Sequence, residues 1–234
     1  MGKQISKPEW FPIGEERARR LLLCIVPRVK RAVMGEEDPS VTSIARKSRS
    51  PFKTLVSTVI SARTKDEVTR AASERLFAVA GTPEEIARLN ETTLARLIFP
   101  AGFYKTKARA IRALSRAIVA DYNGRVPTTI DELLRLPGVG RKTANLVVTQ
   151  AFRKPGICVD THVHRIVNRI GVVGTGKPSE TEFALRNVLP RKHWIEINDL
   201  LVTFGKAICT PVSPRCSVCP IRTDCTQSGV KRSR

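Results

Sequence analysis

The sequence contains no run of about 18 apolar residues, which excludes a helix that could span a membrane. The first ten residues, MGKQISKPEW, also lack the apolar core of a secretory signal peptide. We therefore expect an intracellular protein, located in the cytoplasm and nucleoid or in a nucleus, that has no membrane partner.

Acidic residues are few relative to basic ones. The 234 residues include 41 Lys and Arg but only 21 Asp and Glu, so the formal net charge is +20 at pH 7. Such an excess favours a polyanionic partner, and nucleic acid is the first candidate because each phosphate contact releases counterions. A basic surface that serves solubility alone is the alternative.

Alternating strand patterns and fixed-period repeats are also missing from the sequence. Apolar residues recur instead at helical spacing, as in the stripe Phe52, Leu55, Val56, Val59 and Ile60. Helix starts are predicted at Ser50-Pro51 and at three capping boxes, Thr82–Glu85, Thr129–Glu132 and Ser179–Glu182. The sequence predicts an all-α fold of about nine or ten helices without a linker to separate domains.

The stretch LPGVGRKTA, residues 136–144, lies between two of the predicted helices. Gly138 and Gly140, with Val139 between them, permit positive φ and expose backbone N–H groups where the next helix begins, which is a site for an anion. Arg141, Lys142 and Thr143 follow directly. A helix-hairpin-helix that binds a DNA phosphate has this pattern, but any αα-hairpin can turn on Pro and Gly.

Two side chains near this turn are candidates for chemistry. Lys142 could act as a nucleophile that forms a Schiff base, or it could only contact a phosphate. Asp160, in VDTHVHR at 159–165, is placed as a helix N-cap, and its carboxylate could also stabilise positive charge on a sugar. His162 and His164 are two residues apart and point in different directions, so we expect phosphate-contacting or surface positions and no shared metal.

Four of the six cysteines lie close together near the C-terminus. Cys209, Cys216, Cys219 and Cys225 have the spacing C-x6-C-x2-C-x5-C, whereas Cys24 and Cys158 lie outside this set. Disulfides are rare inside cells, so the four thiols predict a metal site. The spacing does not choose between structural Zn²⁺ and a [4Fe–4S] cluster, because both use four thiolates.

The three motifs, in this order and with this separation, resemble the endonuclease III family of helix-hairpin-helix DNA glycosylases. The resemblance extends from PFKTLVSTVISARTKD at residue 51 to the last cysteine. It implies two helical lobes that flank a DNA-binding cleft, a six-helix barrel and a lobe with a [4Fe–4S] cluster. The implied domains are 1–43, an N-terminal helix that packs with the C-terminal lobe; 44–154, with the hairpin at about 129–152; and 155–234, with the cluster loop at 209–225.

The resemblance also implies an activity. The implied activity is that of a bifunctional DNA N-glycosylase and abasic-site (AP) lyase of base excision repair. The implied substrate is double-stranded DNA that contains damaged bases or abasic sites, on which the protein acts as a monomer. Lys142 has the position of the nucleophile and Asp160 that of the catalytic aspartate, so that oxidised pyrimidines are released and the strand is cut 3′ to the lesion by β-elimination. The four cysteines would ligate the cluster. The implied DNA contacts are Gly138, Val139, Gly140, Arg141, Thr143, His162, Arg63 and Phe103.

Two of these positions depart from the family pattern. Arg63 lies in ISARTKD where glutamine is common, and Phe103 lies in AGFYKTKA where a leucine wedge is usual. An arginine can also reach an orphaned partner base, and phenylalanine is a larger wedge, so the opposite-base preference stays open. The alternatives are a thymine- or adenine-specific mismatch glycosylase of the same superfamily, which has another residue at the lysine position, and a non-catalytic module that binds DNA structures.

Overall fold

The computed structural model describes residues 10–234, and within them the chain forms twelve α-helices and no β-strand. The helices are α1 (Glu15–Ala32), α2 (Ser40–Ser48), α3 (Pro51–Ser61), α4 (Asp66–Val79), α5 (Pro83–Arg88), α6 (Glu91–Ile98), α7 (Tyr104–Tyr122), α8 (Ile130–Leu133), α9 (Arg141–Gln150), α10 (Thr161–Ile170), α11 (Pro178–Val188) and α12 (Ile197–Ala207). Three short 3-10 helices lie at Arg191–His193, Cys216–Val218 and Arg222–Asp224.

The all-α prediction is confirmed, but the expected nine or ten helices were too few. One reason is a break between α5 and α6, where the Asn90 side chain accepts a hydrogen bond from the Thr93 amide and starts a new helix. Among the described residues, no helix combines the length and the apolar character that crossing a bilayer requires.

Most helix starts follow from local capping. The Ser50 side chain accepts from the Lys53 amide, and the Thr82–Glu85 box forms as predicted. At the second predicted box, the Thr129 side chain accepts from the Glu132 amide, but the Glu132 carboxylate accepts from the Thr129 hydroxyl and not from its amide. The prediction of a Ser179–Glu182 box is wrong. The Glu180 carboxylate accepts from the amides of Gly176 and Lys177, so α11 begins two residues earlier than predicted.

The chain divides into two compact units. One consists of the described chain up to Glu37 together with Val159–Arg234, and the other is Asp38–Cys158. In the Asp38–Cys158 unit, α2 packs on α3, α4 and α9, and Cys158 packs with Val41 and Leu146. The domain bounds that the resemblance implies stay a prediction.

The core of the Asp38–Cys158 unit is built around α3. This helix is buried on most of its surface and contacts α2, α4, α7 and α9, as expected of a helix that neighbours enclose. Its fully buried Leu55, Val56 and Ile60 belong to one continuous cluster with Leu114 and Val147. This packing holds the hairpin formed by α8 and α9 against the rest of the unit.

The other unit is organised around α10. Its buried stripe includes Val163, Ile166 and Ile170, and it packs on α11 and α12, while α1 packs on the same two helices. Gly171 ends α10 with a left-handed φ of 86°. A Cβ at Gly171 would lie 2.8 Å from Thr226, so the segment after the last cysteine closes directly onto the end of α10.

Candidate functional site

The turn between α8 and α9 is fixed by its packing on α7. Gly138 has a φ of 74°, and a Cβ there would lie 2.8 Å from the Ala110 Cβ, so only glycine fits. Val139 is buried, and its amide donates to the Leu136 carbonyl at 3.1 Å. Gly140 was also expected to permit positive φ but adopts −94°, and no atom lies within 4 Å of its Cβ position. The outer side of the turn is therefore open at Gly140.

The start of α9 offers hydrogen-bond donors without a side-chain cap. Gly140 is the N-cap, so it has no side chain to accept from the first-turn amides, and no acidic residue lies in that turn. Lys142 is exposed, while Arg141 and Thr143 are half-buried beside it. A helix N-terminus with added cations attracts an anion, because the amides and the helix dipole act in the same direction.

Asp160 is the N-cap of α10, as the sequence predicted. Its Oδ1 accepts from the amide of His162 at 2.8 Å and from that of Val163 at 3.0 Å. Both bonds go to one oxygen, so Oδ2 lies outside the cap. The carboxylate is half-buried and belongs to the unit that contains Val159–Arg234, whereas Lys142 belongs to Asp38–Cys158.

The two histidines of this segment contact different elements. The Nδ1 atom of His162 lies 3.2 Å from a guanidinium nitrogen of Arg165, and a Cβ on Gly205 of α12 would lie 2.4 Å from it. The Nδ1 atom of His164 lies 2.7 Å from the Thr181 hydroxyl of α11. Burial lowers the pKa of His164, and nearby Glu180 opposes that effect. The Nδ1 side of the His162 ring is thus packed against α12.

Arg63 and Phe103 are brought together although 40 positions separate them. Both have left-handed backbone, with φ of 52° and 57°, and the Arg63 guanidinium lies 5.6 Å from the Phe103 ring centroid. Phe103 is 64% exposed. Gly102 makes this approach possible, because a Cβ there would lie 2.4 Å from the Arg63 carbonyl oxygen. The pair forms one exposed cation–aromatic feature.

A buried lysine holds this pair in place. Lys107 of α7 is 7% exposed, and its ammonium donates to the carbonyls of Ile60 and Ala62, each at 2.6 Å, and to the Thr64 hydroxyl at 2.8 Å. The same hydroxyl accepts from the Gly102 amide at 3.1 Å. These bonds tie the segment that bears Arg63 to the segment that bears Phe103. Burial lowers the pKa of Lys107 to about 8.

The four clustered thiols line a single pocket. Cys209, Cys216, Cys219 and Cys225 face it together with apolar side chains that include Ile166 and Phe204. Burial, followed by the neighbouring thiolates, raises the pKa of Cys219 and Cys225. Among residues 10–234, no three His, Cys, Asp or Glu side chains converge closely enough to hold one metal ion.

Cations and backbone groups surround this pocket. Arg169 donates to the Cys209 sulfur at 3.6 Å and to the Thr210 carbonyl at 2.7 Å. Arg165 donates to the Cys209 carbonyl at 2.8 Å. The Gln227 amide donates to the Cys225 sulfur at 3.4 Å. Such donors stabilise negative charge on sulfur, which a thiolate ligand requires.

The chain is similar to known proteins. A family model described as HhH-GPD superfamily base excision DNA repair protein matches residues 56–191. The endonuclease III of Thermotoga maritima is 50% identical over 179 residues, which make up 76% of this chain and 84% of that protein. This chain belongs to the endonuclease III family.

Solved structures of endonuclease III agree with this assignment. A non-covalent endonuclease III–DNA complex superposes with a TM-score of 0.82 at 33% identity, covering 89% of this chain and 95% of that one. A trapped endonuclease III–DNA covalent intermediate with an estranged adenine has a TM-score of 0.74 at 35% identity, covering 80% and 92%. The protein is a base-excision-repair DNA glycosylase of the endonuclease III type.

The sequence patterns did not single out Lys107 and Arg169. A signal for Lys107 was present, since it continues the buried stripe Ile111, Leu114 and Ile118 at helical spacing. Arg169 lies in the buried stripe of α10 and is 9% exposed. A charged residue in a core stripe indicates a buried polar role, but the pattern does not name its partners.

Proposed function

We propose that this protein is a bifunctional DNA glycosylase and AP lyase that uses Lys142 as its nucleophile. The observation that carries the proposal is the exposed Lys142 amine in the first turn of α9, directly after a glycine turn with an open outer side. The trapped covalent intermediate of the solved relative supports a mechanism with a covalent bond to DNA. In this proposal the turn binds a phosphate through its amides, and Lys142 is delivered to the adjacent sugar.

The chemistry begins when the damaged base is flipped out of the stack, since the enzyme cannot otherwise reach C1′. The neutral Lys142 amine attacks C1′, and the bond from C1′ to the base breaks as the base departs with its electron pair. The nitrogen then loses a proton, and its electron pair forms the C1′=N Schiff base as the C1′–O4′ bond breaks and O4′ takes up a proton. The Schiff base acidifies a hydrogen on C2′. Loss of that proton and cleavage of the C3′–oxygen bond cut the strand on the 3′ side of the lesion.

We assign Asp160 the carboxylate role in this reaction. Its Oδ1 is occupied by the α10 cap, so Oδ2 is the oxygen that offsets positive charge on the sugar or takes a proton from the amine. The cap bonds also hold the carboxylate in one orientation. One side chain thus caps a helix and serves the chemistry.

The Arg63–Phe103 pair is assigned to the gap that the flipped base leaves. An aromatic wedge keeps the neighbouring base pairs apart, and an arginine can donate to the orphaned partner base. The substrates proposed are oxidised pyrimidines in double-stranded DNA, on which the protein acts as a monomer inside the cell. His162, Arg141, Thr143 and the backbone of Gly138–Gly140 are proposed as further DNA contacts.

We propose a [4Fe–4S] cluster in the four-cysteine pocket. Such a cluster is ligated by four thiolates, and the four described thiols line one pocket. The donors on Cys209 and Cys225 suit thiolate ligands. Bound there, the cluster would cross-link the loop 209–225, which has little apolar core of its own.

The test is borohydride trapping on DNA that contains an abasic site. Borohydride reduces a Schiff base to a stable amine, so the wild-type protein should give a covalent complex on a denaturing gel. Lys142→Ala should give none. A matched control is Lys154→Gln, which removes an exposed lysine of the same unit whose amine contacts Thr128 and Phe152, and it should trap as the wild type does.

Trapping that survives in Lys142→Ala would move the nucleophile to another residue. The same duplexes with thymine glycol, dihydrouracil, uracil or a G·T mismatch test the substrate class, and we expect release of the two oxidised or reduced pyrimidines only. Release of thymine from the mismatch without strand cleavage would favour the monofunctional glycosylase, which Lys142 argues against. Absence of product on every duplex would favour the non-catalytic module.

A further inference from the structure

A groove on the Asp38–Cys158 unit lies outside the site described so far. It has a volume of about 670 Å³ and is formed by α6, the loop that follows it and the start of α7. Two aromatic rings line it, those of Phe99 and Tyr104, which pack edge to face with centroids 5.3 Å apart. Tyr104 is the immediate neighbour of Phe103, so the groove adjoins the Arg63–Phe103 pair.

Three cations line the same groove without a partner. Arg96, Lys105 and Arg109 are exposed, and within the part of the chain that the structure describes their side chains make no hydrogen bond or ion pair. The one carboxylate that lines the groove, Glu91, lies 3.8 Å from Arg112. The groove thus keeps a net positive charge that no residue of its own neutralises.

The aromatic wall is held in a defined position. Phe99 is 55% exposed, and its ring packs edge to face on Tyr104. Its backbone carbonyl accepts a hydrogen bond from Arg75, which also donates to the Leu97 carbonyl at 3.1 Å. A fixed, exposed ring beside free cations is the combination by which proteins bind a nucleic-acid strand, since the cations hold phosphates and the ring contacts a base or sugar. A single exposed apolar residue would need no explanation, but here the ring is part of a charged concave surface.

We propose that this groove binds a phosphodiester segment of the DNA strand opposite the damaged base. Its phosphate lies among Arg96, Lys105 and Arg109, and its sugar or base lies against the Phe99 ring. The choice of strand rests on the proposed function, in which Phe103 and Arg63 enter the gap facing the partner base. Tyr104, the residue after Phe103, then faces the strand that carries this partner base.

The test compares two triple variants by equilibrium binding to a duplex with an abasic-site analogue. The groove variant replaces the three free cations by glutamine: Arg96→Gln, Lys105→Gln and Arg109→Gln. The control variant removes the same charge from three exposed arginines of the same unit outside the groove: Arg88→Gln, Arg116→Gln and Arg125→Gln. We expect the groove variant to bind about tenfold more weakly than the control variant, and with a smaller dependence on salt.

Strand placement is tested with two duplexes. In each, the opposing strand ends beside the partner base, on its 5′ side in one duplex and on its 3′ side in the other. With one of these duplexes, the wild type and the groove variant should bind equally, because the segment that the groove holds is missing. Equal losses in the two triple variants would overturn the proposal. A groove defect that persists on both shortened duplexes, and disappears only when the damaged strand is shortened, would overturn it as well.

Borohydride trapping at saturating DNA separates this inference from the proposed function. The groove variant should still trap, since it keeps Lys142, and Phe99→Ala should resemble the groove variant in affinity. Failure of the wild type to trap would refute the lysine mechanism and leave the affinity comparison intact. A groove variant with wild-type affinity would refute the groove alone.

Discussion

At the scale of single residues, Lys107 is the side chain whose environment is most unusual. Its ammonium is buried among two carbonyls and one hydroxyl, with no carboxylate among its partners. A lysine tolerates such a position only when neutral acceptors replace the water it has lost. The lysine thereby orders two chain segments far apart in sequence, and both of the residues they carry, Arg63 and Phe103, have left-handed backbone.

The pKa of Lys107 predicts a pH dependence of stability. Burial lowers it from 10.5 to about 8, so between these values the unfolded chain still binds a proton that the folded chain has lost. The contribution of Lys107 to the free energy of unfolding should therefore rise with pH across this window and be flat below it.

The measurement is urea denaturation of the wild type and of Lys107→Met at a series of pH values. Taking the difference in unfolding free energy between the two proteins cancels the titration of other groups. This difference, wild type minus variant, should increase from pH 8 upward. A difference that is constant or falls over that range would show that Lys107 does not titrate in this way.

At the scale of elements, α9 and α10 begin in opposite ways. α10 begins with the Asp160 carboxylate on its first amides, which neutralises its positive end. α9 begins at Gly140, which leaves its first-turn amides without a side-chain acceptor and places Lys142 beside them. One helix end is thus closed by the protein, and the other is suited to an anion from outside.

Variants of Asp160 separate its two roles. Asn is as good an N-cap as Asp, so Asp160→Asn should keep the thermal stability, whereas Asp160→Ala should lose about 1 kcal/mol of unfolding free energy. Base release should fall about 100-fold or more in both, because neither supplies a carboxylate. Thermal melts and single-turnover base release measure the two effects. Full activity in Asp160→Asn would reduce Asp160 to a cap.

At the scale of the whole molecule, the chain builds one unit from its two ends and the other from its middle. The C-terminal loop that contains the four cysteines is fastened to α10 by backbone bonds, from Thr226 to Ile170 and from Ser228 to Arg169. Arg28 of α1 donates to Asp224 and to the Pro220 carbonyl of this loop. The loop therefore connects both terminal segments of that unit.

Loss of the proposed cluster should affect this unit selectively. In Cys219→Ser, visible absorption should disappear, and hydrogen exchange should speed up in 209–225 and in the parts of α1 and α10 that contact the loop, while 38–158 stays protected. Cys24→Ser is the control, because Cys24 is exposed and outside the pocket. Unchanged protection of 209–225 in a colourless Cys219→Ser protein would mean that the loop needs no cluster.

What the sequence determined by itself was local. The all-α fold, the caps at Ser50, Thr82 and Asp160, and the position of Lys142 just after a glycine turn depend on residues within about four positions of each other. The four-cysteine motif is equally local, because its members are close in the chain before any folding occurs. These features could be read without knowing what packs against them.

Only the tertiary structure decided the long-range contacts. Three of these contacts join segments that are dozens of residues apart in the sequence. They are the Arg63–Phe103 pair, the bonds of buried Lys107 and the contact of Arg169 with Cys209. The tertiary structure also decided where glycine is required. Gly138 must be glycine because α7 lies against it, whereas the Cβ position of Gly140 is open. Such contacts depend on how whole helices pack, and that packing is a cooperative property of the core that no local pattern encodes.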